Sequence, residues 1–188
     1  MIVYLTYNLL KMRKIILMLA LAVSCSLYAG AQTAGYRFIE ASDLNIIGKL
    51  FDDTPNPYHR VDTVKFKGFT KSENNQVRCA SGLAVVFRTN SSTITVKTEY
   101  GPAYNAVNTM PISYRGYDLY IKKDAEWLWA AAGATKPEKS GDNLVLIKNM
   151  DNSEKECLLY LPIYNELLSV QIGVDMNAEI SAIESPFR

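Results

Sequence analysis

Hydrophobic and polar positions alternate along most of this chain, and the period of the alternation predicts its elements. Near the N-terminus the spacing is helical. Leu44, Ile47 and Phe51 recur at helical intervals in "DLNIIGKLF", and Ser42 is placed to cap it, so a short helix is expected over 43–51. Gly48 weakens that helix. The segment "DDTPNPYHR" follows, where Pro55 and Pro57 force an extended or turning connection. Beyond it the period changes to two. "DTVKFKGF" sets Val64, Phe66 and Gly68 against Lys65 and Lys67. "SGLAVVFRT" puts Leu83, Val85 and Phe87 on one side, and "STITVKTEY" alternates Ile94, Val96 and Thr98 with Thr95, Lys97 and Glu99. "DLYIKK", "EWLWAAA", "NLVLIKN", "ECLLYLPIY", "LLSVQIGV" and "AEISAI" read as further strands, separated by polar turns such as "TNSS", "SGDN" and "DMN". About nine short strands with almost no helix predict an all-β fold: a jelly-roll-like antiparallel β-sandwich with a short N-terminal helix.

The first 31 residues break this pattern and read as an export signal. Lys11, Arg13 and Lys14 precede the apolar run "IILMLALAV", and Ala29-Gly30-Ala31 offers a small-x-small cleavage site before Gln32. Met12 is a plausible start, since "MRKIILML" is the more usual opening of such a signal. The apolar run is too short to span a membrane as a helix. A competing reading makes Cys25 the acylated residue of a lipoprotein, although "AVS" before it lacks the usual leucine. Residues 32–188 are then one exported domain, periplasmic or on the cell surface, with no second domain, internal repeat or low-complexity tract. Lys and Arg number 20 against 19 Asp and Glu, and the signal holds three of the bases and none of the acids. A chain so balanced lacks the basic face that nucleic acid requires. Cys79 and Cys157 remain after cleavage. Export leaves a disulfide between them open, while two small buried hydrophobes is the simpler expectation.

Candidate chemistry is sparse. His59 in "NPYHR" is the single histidine. It has no G-x-S-x-G nucleophile to serve, and neither cysteine has a catalytic setting. His59 and Arg60 are expected to anchor the proline-bounded connector by hydrogen bonds. One histidine and no CxxC pair leave no metal site, and no cofactor is expected. Asp118, Asp124 and Glu126 form a cluster that could supply a glycosidase pair, but residues at the turn "KKDA" are expected to be solvated. The chain has 12 Tyr and 2 Trp, enough to ask whether it binds sugars. Trp127 and Trp129 share one strand face, which is expected to be core. Tyr100, Tyr104 and Tyr114 flank what reads as a long loop and are the candidate ligand surface.

Two segments resemble a known family. "RGYDLY", Arg115 to Tyr120, resembles the Gly-x-Asp-Leu-Tyr signature of the domain at the N-terminus of bacterial SGNH-type esterases. "LYLPIYNELLSVQIGV", Leu159 to Val174, resembles its second hallmark; "NPYHRV" and "GLAVVFRTNSSTITV" also fit. The resemblance implies structural roles for Gly116, Asp118, Leu119, Tyr120, Leu161, Pro162, Tyr164 and Asn165. Gly116 would allow a tight backbone path, and Asp118 would satisfy backbone donors at the start of the strand. It also implies that the nucleophile and base belong to a following α/β domain. "GDN", Gly141 to Asn143, has Asn where that domain's serine would be, and Asn56 stands where its acid would precede His59. No catalytic residue carries over. The expectation is a non-catalytic accessory domain of an exported carbohydrate esterase, partnered by an SGNH catalytic domain. The alternative is a stand-alone carbohydrate-binding module.

Overall fold

The computed structural model describes residues 35–103, 109–135 and 141–187, and two antiparallel sheets account for most of them. The strands are β1 (Tyr36–Glu40), β2 (Asn45–Ile47), β3 (Ala84–Thr89), β4 (Ile94–Ala103), β5 (Gly116–Lys123), β6 (Glu126–Ala134), β7 (Leu144–Ile147), β8 (Lys155–Tyr160), β9 (Asn165–Asp175) and β10 (Ile180–Ala182). One sheet runs β1-β9-β4-β7. The other runs β10-β3-β8-β5-β6, with β2 sharing β10's edge of β3. The chain passes from one sheet to the other at every connection except β2 to β3 and β5 to β6. That interleaving is a jelly roll, as the period-two pattern predicts.

The core lies between the sheets. Val85 and Phe87 of β3, Ile94 and Val96 of β4, Leu119 of β5, Leu159 of β8 and Ile172 of β9 are all fully enclosed. These are the alternate positions that the sequence marks as one face. A second, smaller cluster covers the outer side of β3: Ala84, Val86 and Leu158, overlaid by Ile47, Tyr120, Trp127 and Ile183. β3 is therefore buried on both faces, which explains its unbroken apolar run.

Two expected elements are absent. The helix over 43–51 is replaced by a 3-10 turn at Ala41–Asp43 and then β2. Asn45, Ile46 and Ile47 pair with Val86, Val85 and Ala84, so sheet pairing overrides the helical spacing. Gly48 then turns away at φ +87°, where a Cβ would meet the Gly82 carbonyl oxygen at 2.2 Å. The strand expected in "DTVKFKGF" is a run of turns. Asp62 Oδ1 accepts from the Val64 and Lys65 amides, and the Asp62 carbonyl from Phe66 N, an Asx turn that outcompetes extended pairing. Two short helices were not expected: α1 (Lys71–Val77) and α2 (Pro111–Arg115). α1 opens with a capping box, the Thr70 side chain accepting from Glu73 N and the Glu73 carboxylate from Thr70 N. The proposed export segment, Met12, Cys25 and Tyr104 lie outside the described residues.

Candidate functional site

The two quoted motifs are one physical unit. β5 and β8 pair with Asp118 opposite Tyr160 and Leu119 opposite Leu159. Beyond the strand ends, Ile163 N and Tyr164 N both donate to the Ser113 carbonyl, at 3.0 and 3.1 Å. Asn165 Nδ2 donates to the Tyr114 carbonyl at 3.1 Å. The Leu161–Asn165 turn is thus sewn onto α2. Gly116 follows α2 so closely that a Cβ would lie 2.1 Å from the Ile112 carbonyl oxygen. Leu119 and Leu161 reach into the core, Pro162 and Asn165 are buried, and Tyr164 is exposed.

Arg115, the last residue of α2, is buried. Its guanidinium lies over the Tyr100 ring, 4.1 Å from the centroid. Nε and Nη1 have no hydrogen-bond partner among the described residues, nor does Asn165 Oδ1. Tyr100 packs against the core and its hydroxyl is 2.9 Å from Thr135 Oγ1. This corrects the sequence reading of Tyr100 as an open ligand surface: β4 extends to Ala103, so Tyr100 sits in a strand and not in a loop. Tyr114 is half-buried, with its carbonyl engaged by Asn165.

A charged cluster holds the connector. His59 Nε2 lies 2.8 Å from Glu166 Oε1, and Arg78 Nη1 is 3.6 Å from the same oxygen. Arg60 donates to the carbonyls of Cys79 and Gln76. Burial lowers the His59 pKa, and this outweighs the opposing pull of Glu166. At neutral pH the ring is uncharged and donates Nε2–H to the carboxylate. No serine or cysteine is hydrogen-bonded to His59 among the described residues; its Nε2 is engaged by Glu166. Glu166 and Arg78 escaped the sequence reading because their partner is 107 residues away in one case and belongs to another element in the other.

Asp118 stands apart from the other two acids. Asp118 is exposed, and its carboxylate makes no hydrogen bond or ion pair among the described residues. That corrects its expected role as a cap for backbone donors; those donors are taken by β6 and β8. Asp124 and Ala125 form the β5–β6 hairpin with φ of 51° and 70°, and Asp124 and Glu126 are exposed. Asp124 stands six positions beyond Asp118 along β5, about 20 Å, too far for a glycosidase pair.

Trp127 and Trp129 share a face, but it is the solvent side of the sheet. Trp129 is 61% exposed and pairs with Tyr120 on the outer surface, while Trp127 lies under the Lys122 ammonium. The reason is that β6 is an edge strand, with a bulge opposite Leu119 and Tyr120, and Ala131 fills the inward position instead. Tyr160, edge-on to Tyr120 at 5.9 Å, extends this outer aromatic row. Cys79 and Cys157 form no bridge; both are buried free thiols. Burial raises both pKa values, that of Cys157 to about 12.

The match that decides the family runs from residue 36 to residue 180, and the family is described as GxDLY, the N-terminus of SGNH-hydrolase-type esterases. The chain belongs to this family. The GxDLY domain's sandwich is similar to a crystal structure of a GDSL-like lipase from Bacteroides ovatus. The TM-score is 0.76 at 36% identity, over 82% of this chain and 45% of that one. It also shares its fold with the salicylyl-acyltransferase SsfX3 of a tetracycline biosynthetic pathway, TM-score 0.55 at 19% identity, over 80% of this chain and 42% of that one. The GxDLY chain thus spans less than half the length of either solved protein. No curated protein matches it.

Proposed function

We propose that this GxDLY chain serves as an accessory domain to an SGNH-type esterase, exported with it and supplying no catalytic group itself. The observation that carries the reading is the family match over residues 36–180, on a domain whose one histidine is tied to a carboxylate and not to a nucleophile. The substrate expected for the whole assembly is an esterified glycan. The purified chain should hydrolyse neither acetyl nor aryl esters and should take up no fluorophosphonate probe. Labelling at any serine of this chain would sink the reading.

A second reading is carbohydrate binding by the domain alone. The outer row of Trp129, Tyr120 and Tyr160 favours it, because flat exposed aromatics stack on sugar rings. Retardation of the chain in polysaccharide-containing gels, lost in Trp129→Ala, would support this. Unretarded migration through a panel of polysaccharides would remove it.

A further inference from the structure

The outer face of the β10-β3-β8-β5-β6 sheet brings aromatic rings, charged groups and a cleft together. Strand register sets its layout. Tyr160 of β8 stands directly opposite Asp118 of β5, and Ala132 of β6 stands opposite Asp118 on the other side. Tyr120, two residues along β5, pairs with Trp129 of β6. Directly opposed residues point to the same face. Asp118, Ala132, Trp129 and Tyr160 are all exposed. Adjacent strands lie about 4.8 Å apart, so the rings of Tyr160, Tyr120 and Trp129 span roughly 10 Å of surface with Asp118 beside them. The small side chain of Ala132 leaves the β6 side of that carboxylate open.

The cations of this face are already matched. Lys122 Nζ is 2.8 Å from Glu156 Oε2, Arg88 Nη2 is 3.4 Å from Glu156 Oε1, and Arg88 Nε is 3.4 Å from Glu154 Oε1. The Asp118 carboxylate has no such partner among the described residues and faces water. A carboxylate takes hydroxyl donors in short, charge-assisted hydrogen bonds, and its two oxygens suit a vicinal pair. Flat rings beside it take the apolar C–H face of a sugar. The same carboxylate repels a ligand that carries its own, and Lys122 and Arg88, held by Glu156 and Glu154, leave no uncompensated cation to offset that repulsion. An ammonium ligand, which rings and a carboxylate also attract, would meet Lys122 two positions further along this face of β5. Past Lys122 the face runs into a cleft of about 380 Å³ between Arg88, Lys122, Glu156 and the segment 182–186, room for further units of a chain.

We propose that this face binds an uncharged polysaccharide, with sugar rings stacked on Trp129 and Tyr160 and a vicinal hydroxyl pair held by Asp118. The inference rests on the carbohydrate-binding reading above and adds to it a ligand class and the residue that selects it. It also divides the labour within "GYDLY". Leu119 fills the core and Gly116 passes close to α2, while Asp118 does neither and points out among the rings.

The test is affinity electrophoresis of the full chain in native gels, each containing one polysaccharide. Galactomannan, xyloglucan and mixed-linkage β-glucan are the uncharged probes, polygalacturonate the anionic one and chitosan the cationic one. Retardation by an uncharged chain and by neither charged one supports the proposal, provided Trp129→Ala abolishes it and Asp118→Ala weakens it about tenfold or more, the loss of a charge-assisted hydrogen bond. Retardation that Trp129→Ala abolishes and Asp118→Ala leaves unchanged overturns the proposal but leaves the carbohydrate-binding reading standing. Stronger retardation by polygalacturonate or chitosan does the same, because it overturns the ligand class. Retardation that survives both substitutions puts the sugar elsewhere and overturns the proposal. No retardation by any of the five overturns both. Asp118→Ala should melt at the wild-type temperature, because the side chain is exposed. If it melts lower, Asp118→Asn, equal in size and without the charge, gives the same comparison.

Discussion

Gly116 and His59 show how far single residues control this domain. At Gly116 the obstacle is backbone: the Ile112 carbonyl oxygen stands where a Cβ would go. Gly116→Ala must shift α2 or β5, so it should destabilise the domain by about 1–3 kcal/mol, as overpacking does. Urea unfolding checks this, and an unchanged midpoint would mean that α2 is free to move. His59 controls pH dependence. Its folded pKa lies below the ordinary value, so as pH falls through about 6.5 the unfolded chain takes up a proton before the folded one does. The stability that neutral His59 contributes is complete above that pH and is lost as pH falls towards the folded pKa. The urea midpoint should therefore drop between about pH 7.5 and pH 5.5. His59→Gln should flatten this slope, and because the chain has one histidine the change can be assigned to it.

At the scale of elements, the connector 54–60 is clamped from both sides. Tyr58 is fully buried and its hydroxyl donates to Glu40 Oε1 of β1 at 2.5 Å, while Glu40 also accepts from Val170 N and Ser169 Oγ of β9. Asn56 Nδ2 donates to the Leu167 carbonyl. Tyr58→Phe removes one donor from a half-buried carboxylate and should cost about 1–3 kcal/mol, with the denaturant slope unchanged. The sequence announced this anchoring through "NPYHR" but not its partners. The same division holds elsewhere. β3, β4, β8 and β9 were legible because alternate positions face one continuous core. β1 and β2 were not, since both are short and owe their strand state to neighbours more than 30 residues away. α1 was readable in principle from Thr70-Lys71-Ser72-Glu73, a capping box, but an exposed seven-residue helix carries no apolar stripe. The Trp127 and Trp129 face was read correctly as shared and wrongly as core, because alternation says which residues share a side and not which side meets the other sheet. Arg115 gave no signal at all: a lone arginine before glycine becomes notable only when its burial over Tyr100 is seen.

For the molecule as a whole, the question is what holds the sandwich together without a covalent tie. The main core runs from Ala41 through Ile172 and a second, smaller cluster covers the outer side of β3, together enough apolar burial for a domain of this size to fold without a disulfide. Cys157 lies in β8 between Phe87 and Ile121, with no exposed surface. Cys79 is 2% exposed, with its thiol 3.3 Å from the Asn75 carbonyl. Their raised pKa values leave almost no thiolate, the reactive form. Both thiols should therefore stay unmodified by a disulfide-exchange reagent in native buffer at pH 8. In urea both should react, at the concentration where the far-ultraviolet circular dichroism is lost. Peptide mapping assigns the labels. If Cys157 reacts before the transition, the sheet opens locally at β8 and the two sheets do not unfold together. If neither reacts after it, the two are oxidised to each other and the stability of the sandwich includes a covalent loop closure.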